Sequence, residues 1–199
     1  MKEIIMATNN AHKLLEVRQI LGDRFQVKGL SEIGCNEDIP ETADTLEGNA
    51  LQKARYVHEH YGVDCFADDT GLEVEALDGK PGVFTARFGQ MNGYGESHDA
   101  EANIHCLLDK LDGQENRHAR FRTAIALIMN GEEHLFEGIV EGNILTEKAG
   151  IGGFGYDPVF APLELGGKAF AEVDAVDKNR ISHRGRATEK LIHFIIHNS

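Results

Sequence analysis

The chain holds two adjacent carboxylates in an apolar setting, Phe66-Ala67-Asp68-Asp69-Thr70-Gly71-Leu72. Burying such a pair is costly unless something cationic holds it. Oxygen ligands of this kind suit Mg²⁺, which takes one or two protein carboxylates and completes its octahedron with water and phosphate oxygens. Side chains of neighbouring extended residues point oppositely, so one of the two faces a given site. Glu41, within Pro40-Glu41-Thr42, is a candidate second carboxylate from another loop. The competing reading is a pair of turn-capping aspartates bonded to backbone.

Three other segments carry groups suited to an anion. Thr8-Asn9-Asn10-Ala11-His12-Lys13 lies where a short apolar run hands over to a helical pattern. The first N–H groups of a helix are unpaired and form an anion pocket, to which Thr8 and Asn10 add donors and Lys13 a full charge. An ordinary N-cap with a solvated lysine is the alternative. Gly150-Ile151-Gly152-Gly153-Phe154-Gly155-Tyr156-Asp157-Pro158 combines free backbone with flat rings, a setting for a planar base; a plain turn anchored on the core is the competing reading. Lys178-Asn179-Arg180-Ile181-Ser182-His183-Arg184-Gly185-Arg186 gathers a lysine, a histidine and arginines, the usual partners of a phosphate or a base carbonyl. A Ser-His-Asp hydrolase is rejected: Ser182 and His183 are sequence neighbours and there is no Gly-x-Ser-x-Gly elbow.

Mixed strands and helices must position these groups. Glu3–Ala7 reads as a strand and His12–Leu21 as a helix. From Thr45 to Tyr61, the spacing of Leu46, Ala50, Ala54, Val57 and Tyr61 predicts one apolar helix face, with Asp44 and Glu47 resembling a capping box. Strands are expected at Asp64–Ala67 and Leu72–Leu77, separated by an acidic turn over Asp68–Gly71. A helix spans Asp99–Leu111, strands at His118–Met129 and His134–Val140 flank an Asn130-Gly131 hairpin, and Ala187–His197 closes the chain as a helix. The fold class is α/β (α+β mixed), a mixed sheet with flanking helices in one domain over 1–199.

The 199 residues carry 20 Lys and Arg against 33 Asp and Glu, a net charge of −13 that argues against general binding to nucleic acid. From Lys178 onward the balance is instead +4, which suits one small anionic ligand or, alternatively, a solvated helix face. The longest apolar run, Ala124–Met129, is far short of a membrane span. Cys35, Cys65 and Cys106 are too few and too scattered for a disulfide scaffold or a thiolate zinc site. With no secretory pattern at the start, these features lead to the expectation of a cytoplasmic protein.

In chain order, the motifs Thr8-x-Asn10-x-x-Lys13, Glu41-Thr42 with Asn49-Ala50 and Lys53-Ala54, Ala67-Asp68-Asp69-Thr70-Gly71-Leu72, Pro81-Gly82-Val83 with Ala86-Arg87-Phe88, Gly152 to Phe160 and Ile181 to Gly185 closely resemble the inosine triphosphate pyrophosphatase family, also called dITP/XTP pyrophosphatases. The resemblance covers nearly the whole chain. Phe84-Thr85 stands where that family often has Tyr-Ser, and Leu46 and Gly48 replace a usual Phe and Glu.

The resemblance implies two lobes on a long mixed sheet with a central cleft, a homodimer, and Mg²⁺-dependent release of pyrophosphate from inosine, deoxyinosine and xanthosine triphosphates. It implies that the loop Thr8, Asn9, Asn10, Ala11, His12, Lys13 grips the triphosphate with Lys53, and that Asp69 is the general base. Glu41 and Asp69 would hold the metal with Asp68 close by. Thr70, Phe154, Gly155, Tyr156, Asp157, Lys178, His183 and Arg184 would contact the nucleotide. Two other readings remain: a septum-formation-inhibitor-type hydrolase of modified pyrimidine nucleotides, and a non-catalytic nucleotide sensor.

Overall fold

The computed structural model describes residues 2–198. In chain order the elements are β1 (Lys2–Met6), α1 (Ala11–Leu21), β2 (Phe25–Lys28), α2 (Leu46–Tyr61), β3 (Cys65–Val74), α3 (Phe88–Met91) and α4 (Ala100–Lys110). They continue with β4 (His118–Met129), β5 (Glu132–Ile144), β6 (Phe160–Pro162), α5 (Ala175–Ile181) and α6 (His183–His197). The strands form one sheet in the order β2-β1-β3-β4-β5-β6. β1 runs parallel to β2 and β3, whereas β6 is antiparallel to β5, so the sheet is mixed as expected.

The chain divides into two compact units. The first comprises the chain up to Asp69, Thr123–Gly138 and the chain from Ser182. The second comprises Thr70–Arg122 and Ile139–Ile181.

In the first unit, strand alternation sorts side chains onto two faces. Met6 and Phe66 pack with Val17 and Leu21 of α1 and Leu191 and Ile195 of α6. Ile5, Ala7, Cys65 and Ala67 pack on the opposite side with Ala50, Ala54 and Val57 of α2, whose predicted apolar face is the one buried. The second unit has its own core, in which Leu72 and Val74 of β3 meet Ile104 and Leu107 of α4 and the rings of Phe121, Phe160 and Phe170. Phe121 stands edge-on to Phe160 at 4.6 Å, a favoured aromatic geometry.

Several local expectations change. Asp68–Gly71 is not a turn but the middle of β3, which runs unbroken from Cys65 to Val74. β3 lies between β1 and β4 in the sheet, and the punctuating effect of Gly71 is overridden. The cap of α2 is Thr45, not Asp44: its hydroxyl accepts from Gly48 N at 3.0 Å. α6 starts four residues earlier than the apolar pattern indicates, at His183, because Ser182 caps it by accepting from Gly185 N at 2.9 Å. The hairpin turn is as expected, with Asn130 and Gly131 both at positive φ, as a tight two-residue connection demands.

Candidate active site

Because Asp68 and Asp69 are consecutive residues of a strand, they leave it on opposite faces. Asp68 follows Phe66 toward α1 and α6. Its Oδ1 accepts from Lys13 Nζ at 3.2 Å and its Oδ2 from Arg184 Nε at 3.1 Å. Asp69 follows Ala67 toward α2, where its Oδ2 accepts from Asn49 Nδ2 at 3.1 Å. Lys53, one turn along α2 from Asn49, reaches the Asp68 carbonyl oxygen at 2.7 Å and Glu41 Oε1 at 3.0 Å. Asn49 also accepts from Ala43 N at 2.9 Å, which ties the loop carrying Glu41 to the same helix.

These contacts set the charges. Burial alone would raise the Asp68 pKa, but Lys13, Arg184 and Lys53 outweigh it and hold the carboxyl well below the usual range. Asp69 goes the other way. Burial pushes its pKa up, the nearby Glu41 charge adds to this, and Lys53 and Lys13 offset the rise only in part. Lys13 is lowered by burial and by the cations Lys53 and Arg184, against the pull of Asp68 and Asp69. Burial would lower Lys53 too, yet Asp69, Glu41 and Asp68 together raise it. Two adjacent carboxylates thus have opposed tendencies: one is locked as an anion and the other is a better proton acceptor than an ordinary aspartate.

The loop after β1 is built around α1. Thr8 Oγ1 accepts from Asn10 N at 3.1 Å, and Asn10 Oδ1 caps the helix by accepting from Lys13 N at 3.1 Å. The exposed Ala11 and His12 are therefore the first two helical residues, with Lys13 behind them on the turn that meets Asp68. Asn9 is exposed in the same loop.

In the second unit, Asp157 organises the glycine-aromatic segment. Its Oδ2 accepts from Phe154 N at 2.8 Å and from Lys178 Nζ at 2.8 Å. Lys178 is itself buried, with its ammonium 4.8 Å from the centre of the Phe154 ring and 5.7 Å from that of Phe170. Attraction to ring faces and to one carboxylate compensates its lost hydration. Gly150, at φ +81°, passes so close to the Ala171 carbonyl that any side chain would collide with it. Thr70 is half-buried and Gly155, at φ +60°, completes the turn before Tyr156.

Two expectations need correction. Tyr156 is not a surface for stacking: its ring is buried in the core of the second unit and its hydroxyl donates to the Thr85 carbonyl oxygen at 2.7 Å. A phenol buried with its one polar atom satisfied is anchored. Arg184 is not an open donor. It is 2% exposed and bridges Asp68 and Glu16 of α1. His183, at the first position of α6, is buried beside it.

Glu16 and Asn49 are the side chains that sequence reasoning gave no role. Both had a signal, since Glu16 lies three residues after Lys13 and Asn49 four before Lys53, spacings that place each pair on one helix face.

The sequence pattern of the Ham1 family matches residues 4–194. The chain is similar to a dITP/XTP pyrophosphatase of Porphyromonas gingivalis, with 54% identity covering 98% of each chain. It is similar to another of that description from Flavobacterium psychrophilum, 50% identical over 96% of this chain and 98% of the relative. Among solved structures, the Ham1 protein of Staphylococcus aureus superposes with a TM-score of 0.86 at 37% identity, over the full length of both chains.

Proposed function

The chain belongs to the Ham1 family, and on that premise we propose that it hydrolyses inosine, deoxyinosine and xanthosine triphosphates to the monophosphate and pyrophosphate. The observation that carries the reading is the pair on β3, where Asp68 accepts from Lys13 and Arg184 and its carbonyl from Lys53, while Asp69 on the opposite face accepts from Asn49. The relatives named as dITP/XTP pyrophosphatases support the substrate class.

In this reading Lys13, the N–H groups of Ala11 and His12, and the side chains of Thr8, Asn9 and Asn10 bind phosphate oxygens at the start of α1. Lys53 adds a second cation. Asp69 takes the proton of the attacking water as its oxygen bonds to the α-phosphorus; the bond from that phosphorus to the bridging oxygen breaks and pyrophosphate leaves. The residues fit a divalent cation with oxygen ligands. Glu41 and Asp69 both act on Lys53 electrostatically, and no larger group of His, Cys, Asp or Glu surrounds them among the described residues. One or two carboxylates with the rest of the shell from water and phosphate is the pattern for Mg²⁺. Asp68, with an oxygen on Lys13 and the other on Arg184, serves to hold those cations. When bound, Mg²⁺ would neutralise phosphate charge.

For the base, Lys178 would supply a donor toward the 6-carbonyl of hypoxanthine or xanthine, with Phe154, Gly155 and Asp157 shaping the surroundings, and Thr70 and His183 would contact the nucleotide. Adenine presents an amino donor there instead, and a donor facing a donor is rejected. Arg184 acts by holding Asp68 and the start of α6. The proposal further includes a homodimer and a cytoplasmic setting, the latter supported by three buried free cysteines. No described helix is long and apolar enough to cross a membrane.

The test is a panel of nucleoside triphosphates with Mg²⁺, assayed separately for pyrophosphate and orthophosphate. Rapid pyrophosphate release from inosine, deoxyinosine and xanthosine triphosphates with slow turnover of ATP and GTP is expected. Equal kcat/KM for ATP and inosine triphosphate, or orthophosphate as the product, overturns the reading.

A further inference from the structure

Of the ten histidines, only His193 and His197 stand four residues apart. Both are exposed near the C-terminal end of α6, the far end of that helix from His183 and Arg184. Four-residue spacing on a helix stacks side chains one above the other, and here the two rings lie 4.1 Å apart at 25°. His197 Nδ1 is 2.7 Å from the His193 carbonyl oxygen. A carbonyl can only accept, so Nδ1 carries the proton, and in the neutral ring that this bond fixes, Nε2 presents the lone pair. A backbone carbonyl holding one ring nitrogen is the arrangement that fixes the tautomer of a metal-binding imidazole.

We propose that His193 and His197 form a two-imidazole site for a late first-row divalent ion such as Ni²⁺, Cu²⁺ or Zn²⁺. Imidazole nitrogen suits these ions, whereas Mg²⁺ takes oxygen ligands, so the site is chemically separate from Glu41 and Asp69. Two histidines at this spacing on one helix face are a known zinc-binding arrangement. The end of a helix also carries partial negative charge that favours a cation. His134 does not join them: its ring packs on Phe194 at 4.2 Å, and no third His, Cys, Asp or Glu completes a cluster among the described residues. Water fills the remaining positions. Small side-chain rotations take the rings from stacked to chelating, and the bound ion ties the last turn of α6 to the turn before it.

The site is tested on the full chain in excess Mg²⁺, which occupies oxygen ligands, with Ni²⁺ as the probe. Equilibrium dialysis of the parent, His193→Gln and His197→Gln measures bound nickel, and thermal unfolding with and without nickel reads its effect on α6. The parent is expected to bind one more equivalent of nickel than either variant. Its Tm should rise by about 2–4 °C with nickel, and this rise should be lost in both variants. Hydrolysis in Mg²⁺ without nickel should be the same in all three, which shows that the exposed substitutions leave the fold intact. His134→Gln should bind nickel like the parent. Undiminished nickel binding in either single variant, no binding by the parent, or loss of binding in His134→Gln each overturns the proposal.

Discussion

Arg184 Nε donates to Asp68 Oδ2 at 3.1 Å, joining the first turn of α6 to the centre of β3 across 116 positions of sequence. Both side chains are almost fully buried, at 2% and 1% exposure, and Glu16 takes another edge of the same guanidinium. A charge removed from water to this extent persists only with partners in good geometry, so the pair acts as a unit.

Arg184→Ala therefore reads first as a stability mutation. Leaving Asp68 buried without one of its cationic partners should cost about 3–5 kcal/mol. Asp68 has a depressed folded pKa, so its contribution is present above its unfolded value and is lost as pH falls through the folded one. The variant should show less of this loss on the acid side. Urea unfolding at neutral pH and near pH 4 measures both effects, and parent-like stability at neutral pH would contradict the role given to the pair.

Asp69→Asn should lower kcat by roughly a hundredfold or more, with a smaller loss of nucleotide affinity because Lys13 and Lys53 remain. The same change should stabilise the protein at neutral pH. Asp69 has a raised folded pKa, so the stability linked to it is present below the unfolded pKa and lost as pH rises through the folded one. Asn carries no such penalty and can still accept from Asn49. The gain in Tm should close as the pH falls toward about 4. Near-parent turnover would exclude Asp69 as the base.

Lys13→Ala should raise KM more than it lowers kcat, the mark of a group that binds ground and transition states alike. Burial and neighbouring cations lower the Lys13 pKa, so the parent's kcat/KM should fall on the alkaline side at a pH below that of an ordinary lysine. The variant should lose that limb. Profiles of kcat/KM against pH for the two proteins decide it; an unchanged alkaline limb places Lys13 outside phosphate binding.

Lys178→Met keeps a flexible apolar stem against Phe154 and Phe170 while removing the ammonium. Inosine triphosphate should lose roughly tenfold or more in kcat/KM, the value of one buried hydrogen bond, with little change for ATP. Equal losses on both substrates would show that Lys178 does not read the base.

Gly138→Ala tests how β5 seats α6. A Cβ at this position would run into the His183 carbonyl oxygen and come within 2.6 Å of Ala187 N. Backbone on both sides leaves no flexible group to yield, so a loss of about 1–3 kcal/mol is expected, together with lower kcat/KM from displacement of His183. Unfolding and steady-state kinetics on one preparation measure both, and an unaltered Tm would mean that the two backbones part without cost.

Patterns of short range carried much of this protein. The four-and-three spacing from Leu46 to Val57 sufficed to define α2 and its buried face, because helix geometry is local. Asn130-Gly131 sufficed for the hairpin, because few other residues accept positive φ twice in succession. Alternation along a strand already separated Asp68 from Asp69, and the motif order was enough to indicate the family. Long-range pairing decided the rest. Whether Asp68–Gly71 is a turn or a strand depended on neighbours in the sheet that lie elsewhere in the chain. That Tyr156 is an anchor, that Arg184 is spent on Asp68 and Glu16, and that Asn49 grips Asp69 depend on elements far apart in sequence packing side by side. Residue type states what a side chain can donate or accept; only tertiary structure determines which of its possible partners, at what burial, it meets.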